Sequence, residues 1–289
     1  MTTPSMPEIR AAQNATENLR LQAAARRLYS RTKLLDGLGL TFSLALALAA
    51  PVIASMSDRA GLWVAALAGV WLFASRLVLA PVARRVQRAA AGVQDSFDAA
   101  VLGTPCGRSL ATPASGEEIH AATREVDLGR FRNWYPAEST SPWPLSVALC
   151  QRANAVWARR QHRLYGRLLT GATVAVTALG ITVAITNAQS LQTYLAVILL
   201  PSLPLLLDAS ELAGAHRAAA RKRGAIEAAL DEFCRAPDPA TASDTVSAAQ
   251  RDLLELRSRG PLVPDWLYRL VAPRYDDDMR FAARSATTP

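Results

Sequence analysis

The chain has 289 residues and a formal net charge of +8, with 51% hydrophobic and 19% charged residues. Its three cysteines, Cys106, Cys150 and Cys234, are far apart and form no C-x-x-C pair, which argues against a disulfide framework and against a zinc site. The hydrophobic residues are gathered into long runs with charged segments between them, which is the pattern of an integral membrane protein rather than a secreted one.

Residues 1–33 are predicted to form an N-terminal cytosolic helix. The stretch from about Glu8 to Lys33 contains no glycine or proline, and its apolar residues give a weak stripe against an arginine-rich face. Such a helix can lie on the membrane surface or pack against other cytosolic helices, and the sequence leaves both arrangements open.

The first transmembrane hairpin is predicted at residues 34–82. Two apolar runs, Leu34–Met56 and Gly61–Val82, are separated by only a short link, and an apolar helix needs about 20 residues to cross a bilayer. Basic residues lie on both outer sides of the pair: Arg20, Arg26, Arg27, Arg31 and Lys33 before it, and Arg84, Arg85 and Arg88 after it. Because positive charge is retained on the cytoplasmic side, both ends of the hairpin are predicted to face the cytoplasm.

A second hairpin is predicted at residues 167–208. Leu168–Ile185 consists only of aliphatic residues, glycine and threonine, and Leu191–Leu207 carries no charge. Arg163 and Arg167 precede the hairpin, and further basic residues follow it, so its ends are also predicted to be cytoplasmic. We therefore predict an all-α integral membrane protein with four transmembrane helices in two hairpins, a helical cytosolic domain and both termini in the cytoplasm.

The helical cytosolic domain is predicted from three segments, residues 1–33, 83–166 and 209–289. In the central segment, Ser115 and Glu118 form a capping-box pattern at the start of a short helix. A further helix is predicted from Ser146 straight into the third span. The fourth span is predicted to continue in the same way, as a polar helix that ends at about Arg235.

The sequence offers no pattern for an active site. His120, His162 and His216 are isolated from one another in the sequence, and neither H-x-x-x-H nor H-E-x-x-H occurs. The G-x-S-x-G, Walker and G-x-G-x-x-G patterns are also missing. The protein is therefore predicted not to be an enzyme, and no catalytic residue, metal site or cofactor is expected.

Arg76 is the one charged residue well inside a predicted span. It lies about two helical turns from the cytosolic end of the second span near Val82, so its side chain can reach the interface. Asp36 and Asp208 are predicted at the same level and are candidate partners for it. The alternative is a pore-lining role, because charge inside a membrane is costly and usually faces a protein interior or water.

The third span carries a stripe of small and polar residues. Thr170, Thr173, Thr177 and Gly180 recur at intervals of three and four, which places them on one face of a helix. Hydroxyl groups on such a face can line a water-filled path for ions. The alternative is close packing of helices, with each threonine hydroxyl bonded to its own backbone.

Several motifs, taken in chain order, resemble those of a known family. They are RRLYSRTK (Arg26–Lys33), FDAAVLGTP (Phe97–Pro105), WYP (Trp134–Pro136), CQRANAVW (Cys150–Trp157) and PLVPDWLY (Pro261–Tyr268). The ordered set resembles the S-4TM family, the SMODS-associated four-transmembrane pore-forming effectors, over nearly the whole chain.

The resemblance implies a bacterial antiphage effector that is encoded beside an enzyme making a cyclic nucleotide. On a cyclic oligonucleotide or mononucleotide signal, such a protein would form or open a pore in the inner membrane, depolarise the infected cell and stop phage replication by abortive infection. Its expected partners are the lipid bilayer, further copies in a homo-oligomer and the second messenger as activating ligand. No nucleic-acid polymer is expected.

A site for this signal would need guanidinium groups for phosphate and an aromatic face for the base. The candidate nucleotide-binding residues are Arg130, Arg132, Trp134, Tyr135, Arg152 and Arg159. The alternative is that the aromatic residues among them form the core of a small proline-rich turn. The candidate pore-lining residues are Arg76, Thr170, Thr173, Thr177 and Gly180.

Two other functions fit four spans joined to cytosolic helices. A non-conducting membrane scaffold would hold a protein partner through those helices and would need no polar path. A transporter subunit would be expected to carry charged pairs deep in its spans, which this sequence lacks. A measurement of ion conductance separates these functions from a pore.

Overall fold

The computed structural model describes residues 3–56, 73–105, 114–136 and 139–271, together with residues 63, 66, 67 and 69–71. Within these ranges every regular element is a helix and no strand occurs, which confirms the prediction of an all-helical chain. The link of the first predicted hairpin lies outside the described residues, and the second predicted span lies partly outside them.

The elements follow one another in a simple order. The α-helices are α1 (Met6–Gln13), α2 (Thr16–Met56), α3 (Ala80–Leu102), α4 (Gly116–Thr123), α5 (Leu145–Thr186), α6 (Leu200–Arg235), α7 (Ala242–Arg259) and α8 (residues 265–271). A π-helical turn, Ser75–Leu79, precedes α3, and a second one, Tyr194–Leu199, precedes α6 after the short turn Leu191–Thr193. Between α4 and α5 lies the 3₁₀ turn Leu128–Phe131.

The prediction of one unbroken helix from Glu8 to Lys33 is wrong, because the chain breaks between α1 and α2. At the break, Asn14 Nδ2 donates a hydrogen bond to the Arg10 carbonyl oxygen at 3.0 Å, and Asn14 Oδ1 accepts one from the Asn133 backbone N–H at 3.0 Å. Asparagine side chains compete in this way with the hydrogen bonds of a helix. The break lets α1 fold back onto the body of packed helices, which we call the cytosolic body after its predicted location.

The capping box predicted at Ser115 and Glu118 is present at the start of α4. The Ser115 Oγ accepts from the Glu118 backbone N–H at 3.2 Å, and a Glu118 carboxylate oxygen accepts from the Ser115 backbone N–H at 2.8 Å. The helix that it opens is short and ends at Thr123. This local pattern was sufficient to locate the helix start, since both partners lie within one turn.

The core of the cytosolic body is formed where α1, α3, α6 and α7 pack against the first half of α5. Ala90, Val93, Phe97 and Val101 recur every three or four residues on one face of α3, and all four are buried. The Phe97 side chain is fully enclosed and packs among residues of α1, α5 and α6. Burial of this apolar stripe holds the cytosolic helices together.

The helices that leave this body carry exposed apolar surfaces. Among the described residues, one helix, α5, contains an apolar stretch long enough to cross a membrane, and none of that stretch is buried within the protein. The first predicted span lies within the unbroken helix α2. Leu38, Val174 and Leu179 are more than half exposed. Exposure of such apolar side chains to water is unfavourable, and a hydrocarbon environment removes that cost.

Both π-helical turns come directly before a proline in the first turn of the next helix. Pro81 follows the turn Ser75–Leu79, and Pro201 follows the turn Tyr194–Leu199. A proline lacks the N–H that would continue an α-helical hydrogen-bond ladder, so a local change of hydrogen-bond register relieves the mismatch. The two turns lie within the second and fourth predicted spans.

Candidate functional site

A cavity of about 160 Å³ lies inside the cytosolic body, next to the helices that continue as predicted spans. Its wall contains Gln22, Arg26, Tyr29 and Lys33 from α2, and Asn154, Trp157, Gln161 and His162 from α5. Further parts of the wall are Arg223 of α6, Arg257 of α7, Trp134 of the loop before α5 and Tyr268 of α8. We call this space the polar cavity.

The polar cavity collects hydrogen-bond donors that are buried without a partner among the described residues. They are Gln22 Nε2, Tyr29 Oη, Asn154 Nδ2, Trp157 Nε1, Gln161 Nε2, Arg223 Nε and Arg257 Nη2. A buried polar group without a partner costs about 1–3 kcal/mol, and most buried groups in folded proteins are paired. The concentration of such donors in one cavity is chemically suited to a ligand that is rich in acceptor oxygens.

Two buried arginines give the polar cavity its positive charge. Burial disfavours the charge on Arg257, but the Asp98 carboxylate that accepts a hydrogen bond from its Nη1 outweighs burial and raises the pKa of Arg257. Arg223 has no carboxylate partner among the described residues, and burial together with the nearby Arg257 charge lowers its pKa to about 10. At neutral pH both guanidinium groups are charged.

A histidine pair lies between the polar cavity and the third and fourth predicted spans. His162 lines the cavity, and its Nδ1 is 2.8 Å from the Nδ1 of His216 on α6. Burial, the charge of Arg223 and the other ring lower the pKa of His162 to about 2. Burial and Arg223 lower the pKa of His216 to about 4. Both rings are therefore neutral at physiological pH.

One helical turn beyond this pair, α5 and α6 approach each other closely. A Cβ atom added to Gly166 would lie 3.4 Å from both the Ala213 carbonyl oxygen and the His216 Cβ. A glycine at this position lets the two backbones come together, as small residues do at membrane helix interfaces. The histidines and Gly166 thus join the two helices at the point where they leave the cytosolic body.

The segment at residues 261–268 closes one side of the polar cavity. Asp265 accepts hydrogen bonds from Lys33 Nζ and from Ser30 Oγ of α2, both at 2.7 Å. The Arg26 guanidinium carbon lies 4.0 Å from the centroid of the Tyr268 ring, and that ring makes an edge contact with Trp157 at 5.0 Å between centroids. These contacts fasten the C-terminal part of the described chain to α2 and α5.

The structure does not bring the six predicted nucleotide-binding residues together. Trp134 lines the polar cavity and is 37% exposed, whereas Tyr135 is buried and donates a hydrogen bond from its hydroxyl to Asp98 at 2.6 Å. Arg130 and Arg132 are exposed on the loop before α5. Their part in nucleotide binding stays a prediction.

The two predicted arginines on α5 pair with acidic residues of α6. Arg152 forms an ion pair with Asp231, and Arg159 lies 2.7 Å from a carboxylate oxygen of Glu227. Each ion pair neutralises a guanidinium group that was predicted to bind a phosphate of the nucleotide. A nucleotide would have to displace these carboxylates before either arginine could bind it.

Most of the polar cavity could not be predicted from the sequence, although α2 carries a signal for it. Gln22, Arg26, Tyr29 and Lys33 recur at intervals of four and three, so they share one face of the helix. That polar face lies toward the cavity. The charged residues of a cytosolic helix would instead be expected to face water. The spacing identifies a face, but the sequence alone does not say which face is buried.

The predicted pore-lining residues make local contacts in this state. The hydroxyl groups of Thr170, Thr173 and Thr177 each donate to a backbone oxygen one turn earlier at 2.9 Å, and Thr170 also accepts from Arg217 Nη1 at 2.8 Å. Gly180 lies further along the same helix and is half-buried. These hydrogen bonds are those expected of the packing alternative, and the conducting path stays a prediction.

Arg76 pairs with one of its two candidate partners. Its Nη2 lies 2.7 Å from Asp208 Oδ1, and this ion pair joins the π-helical turn before α3 to α6. Both side chains remain partly exposed at the protein surface. Among the described residues, no group of three or more His, Cys, Asp or Glu side chains is placed to hold a metal ion.

A body of packed helices joined to long helices with exposed apolar surfaces is typical of a helical membrane protein. The family model described as the SMODS-associating 4TM effector domain matches residues 7–286, and the chain belongs to this family. The chain is similar to a probable CBASS effector molecule of Bacillus cereus (strain VD146), with 24% identity over 281 residues, covering 92% of this chain and 94% of that protein. No solved structure matches.

Proposed function

We propose that the protein is a membrane effector of bacterial antiphage defence. On a cyclic-nucleotide signal, it forms or opens a pore in the inner membrane, and the resulting depolarisation leads to abortive infection. Membership of the SMODS-associating 4TM effector family supports the effector role, as does the similarity to a probable CBASS effector molecule over most of both chains.

The single observation that carries the proposal is the continuity of α5. This helix runs for 42 residues without a break, from the cytosolic core to the end of the third predicted span. His162 at the polar cavity and Leu168 at the start of the apolar stretch are about 9 Å apart along the helix axis at 1.5 Å per residue. A displacement of α5 at the cavity is therefore passed directly to the predicted span.

The second and fourth predicted spans supply the parts that move. Each contains a π-helical turn before a proline, and the Arg76–Asp208 ion pair joins these two spans near the cytosol. π-helical turns are common at functional sites in helices. A change of hydrogen-bond register at such a turn shifts the part of the helix that follows it. We propose that these turns change register when the pore opens.

The conducting species is proposed to be a homo-oligomer. Four spans of one protomer fill their own core and leave no wide lumen, so an aqueous path requires several copies. Native mass spectrometry in lipid nanodiscs, with and without the activator, measures this directly. A monomer under both conditions would contradict the oligomer.

Flux through liposomes tests the proposed pore. The full chain is reconstituted into vesicles loaded with a K⁺-sensitive or Cl⁻-sensitive dye, and each cyclic dinucleotide or trinucleotide of the four common bases is added separately. One nucleotide of the panel is expected to open the pore and dissipate the ion gradient. Protein-free vesicles provide the control. If the protein gives no flux and expressing cells keep their membrane potential during phage infection, it is a non-conducting scaffold or a transporter subunit.

A further inference from the structure

We propose that the polar cavity binds one phosphodiester group of the activating nucleotide through Arg223, Arg257 and Gln161, while an adjoining base stacks on Trp134. The identity of the ligand rests on the proposed function above, whereas the site rests on the geometry of the cytosolic body. The proposed residues differ from the arginines that the sequence analysis assigned to this ligand, with Trp134 common to both.

The hydrogen-bonding groups of the cavity match a phosphodiester in kind. Its unpartnered groups are all donors of N–H or O–H bonds, and Gln22, Gln161, Arg223 and Arg257 are each more than nine-tenths buried. Phosphodiester oxygens accept several such bonds, and guanidinium groups bind them with particular strength. Among the described residues, neither aspartate nor glutamate lines the cavity, so no carboxylate would be in direct contact with the anion.

The charges around the cavity also match a monoanion. Four cations line it, Arg26, Lys33, Arg223 and Arg257. Three carboxylates lie behind them: Asp265 pairs with the first two, Asp98 pairs with Arg257, and Asp95 accepts from Gln250 at 3.0 Å beside Asp98. One positive charge remains in excess, and Arg223 is the cation without a carboxylate. A phosphodiester carries the single negative charge that would neutralise it.

The size and opening of the cavity limit which part of a nucleotide it holds. Its volume of about 160 Å³ is below the roughly 300–1,000 Å³ typical of sites for drug-sized ligands, so it takes one phosphodiester group rather than a whole cyclic dinucleotide. Trp134 is the exposed member of the cavity wall, and it therefore marks the opening. Aromatic side chains at such positions stack on bases of any sequence.

A stability measurement separates a ligand site from a purely structural role for Arg223. A buried guanidinium without a carboxylate partner weakens the folded state, and an apolar side chain of similar length removes that cost. Arg223→Met is therefore expected to raise the thermal unfolding midpoint of the protein without nucleotide and to reduce the further rise on addition of nucleotide. A structural arginine would lower the midpoint when replaced.

Calorimetry on the full chain in lipid nanodiscs tests the site. The probes are cyclic dinucleotides and cyclic trinucleotides of the four common bases, added one at a time. For the member that binds, Arg223→Met and Gln161→Leu are each expected to weaken affinity about 10- to 100-fold, the usual effect of losing a hydrogen bond to a charged group. Arg124→Met, on the exposed turn after α4, is the matched control and is expected to bind as the wild type does.

Two results would overturn the site. One is unchanged affinity in Arg223→Met, which together with a loss of affinity in Arg132→Met would place the ligand at the loop before α5. The other is no binding by any member of the panel. The proposed function fails separately: if nucleotide binds and Arg223→Met weakens binding as expected, but vesicles show no flux, then the site stands and the pore does not. If vesicles show flux and Arg223→Met binds with unchanged affinity, then the pore stands and the site does not.

Discussion

His162 and His216 face each other through their Nδ1 atoms, 2.8 Å apart, where α5 and α6 leave the cytosolic body. One ring must donate and the other accept, so the contact requires at least one neutral imidazole. Arg223 and Lys33 add positive charge around the pair, and burial disfavours protonation further. The hydrogen bond between the two helices is lost when both rings are protonated.

The histidine pair predicts that stability falls as the pH falls. The pKa of each ring in the folded protein is lowered, to about 2 for His162 and about 4 for His216, whereas the unfolded chain binds protons near pH 6.5. Their contribution is therefore fully present above pH 6.5 and is lost on acidification toward the folded pKa values, by about 1 kcal/mol per pH unit for each histidine near pH 5. Unfolding midpoints in detergent between pH 8 and pH 4.5 measure this.

A matched substitution separates this effect from the titration of carboxylates. The double variant His162→Gln, His216→Gln keeps neutral hydrogen-bonding groups and is expected to flatten the pH dependence below pH 6.5. His120→Gln, on the exposed surface of α4, is expected to leave the wild-type dependence intact. Equal pH dependence in the double variant and in the wild type would show that the pair does not set acid stability.

The histidine pair also shows what could not be predicted from the sequence. The two residues are 54 positions apart, and sequence analysis treated them as isolated, because only the return of α6 along α5 brings them together. Long helices such as α5, and the capping box at Ser115, were predictable because their signals lie within the local sequence. The polar cavity depends on the register between distant helices, which local patterns do not encode.

Asp98 is predicted to be the carboxylate of the cytosolic body whose replacement costs the most stability. It is fully buried and accepts hydrogen bonds from Tyr135, Gln250 and Arg257. Asp98→Ala leaves a buried guanidinium without its counter-ion, a change that typically costs about 3–5 kcal/mol. Chemical denaturation followed by tryptophan fluorescence measures the loss.

The control for Asp98 is the ion pair between Arg152 and Asp231, whose side chains are about one-third exposed. Pairs that water can reach contribute about 0–1 kcal/mol, so Asp231→Ala is expected to have a small effect. The double variant Asp98→Leu with Arg257→Met is expected to recover much of the stability that Asp98→Ala loses, because it removes both buried charges together. If Asp98→Ala is no more harmful than Asp231→Ala, the buried network does not stabilise the body.

The Arg76–Asp208 ion pair is predicted to hold the resting state. It joins the π-helical turn of the second predicted span to α6, with an N–O distance of 2.7 Å. Both side chains are substantially exposed, so the pair is worth at most about 1 kcal/mol, or a roughly fivefold change in the open fraction. Asp208→Asn is expected to raise ion leak without activator by about this factor.

Charge reversal provides the control for this pair. Arg76→Asp combined with Asp208→Arg restores the attraction and is expected to restore the low resting leak. In Asp208→Asn the Arg76 charge is no longer neutralised, so the open path is expected to favour anions more than in the wild type. Unchanged leak and unchanged selectivity in Asp208→Asn would remove Arg76 from the mouth of the path.

The last prediction places the conducting path on the third predicted span, along Thr170, Thr173, Thr177 and Gly180. In the present state the three hydroxyl hydrogens are donated to the helix backbone, but each oxygen keeps acceptor capacity that can hydrate a passing cation or bind water. Thr173→Leu with Thr177→Leu makes the middle of the stripe apolar while preserving the helix. Activated flux in liposomes is expected to fall at least tenfold.

Thr182 and Thr186 offer a matched control on the same helix. Their hydroxyls make the same backbone hydrogen bonds, at 2.9 and 3.0 Å, but both side chains are exposed on the outside of the described protomer. Thr182→Leu with Thr186→Leu therefore changes the same number of hydroxyls on the face that the proposed pore would turn toward lipid, and it is expected to leave flux unchanged. If the first double variant folds and conducts as well as the second, the path lies on another helix, and Thr173 and Thr177 only pack the third span against its neighbours.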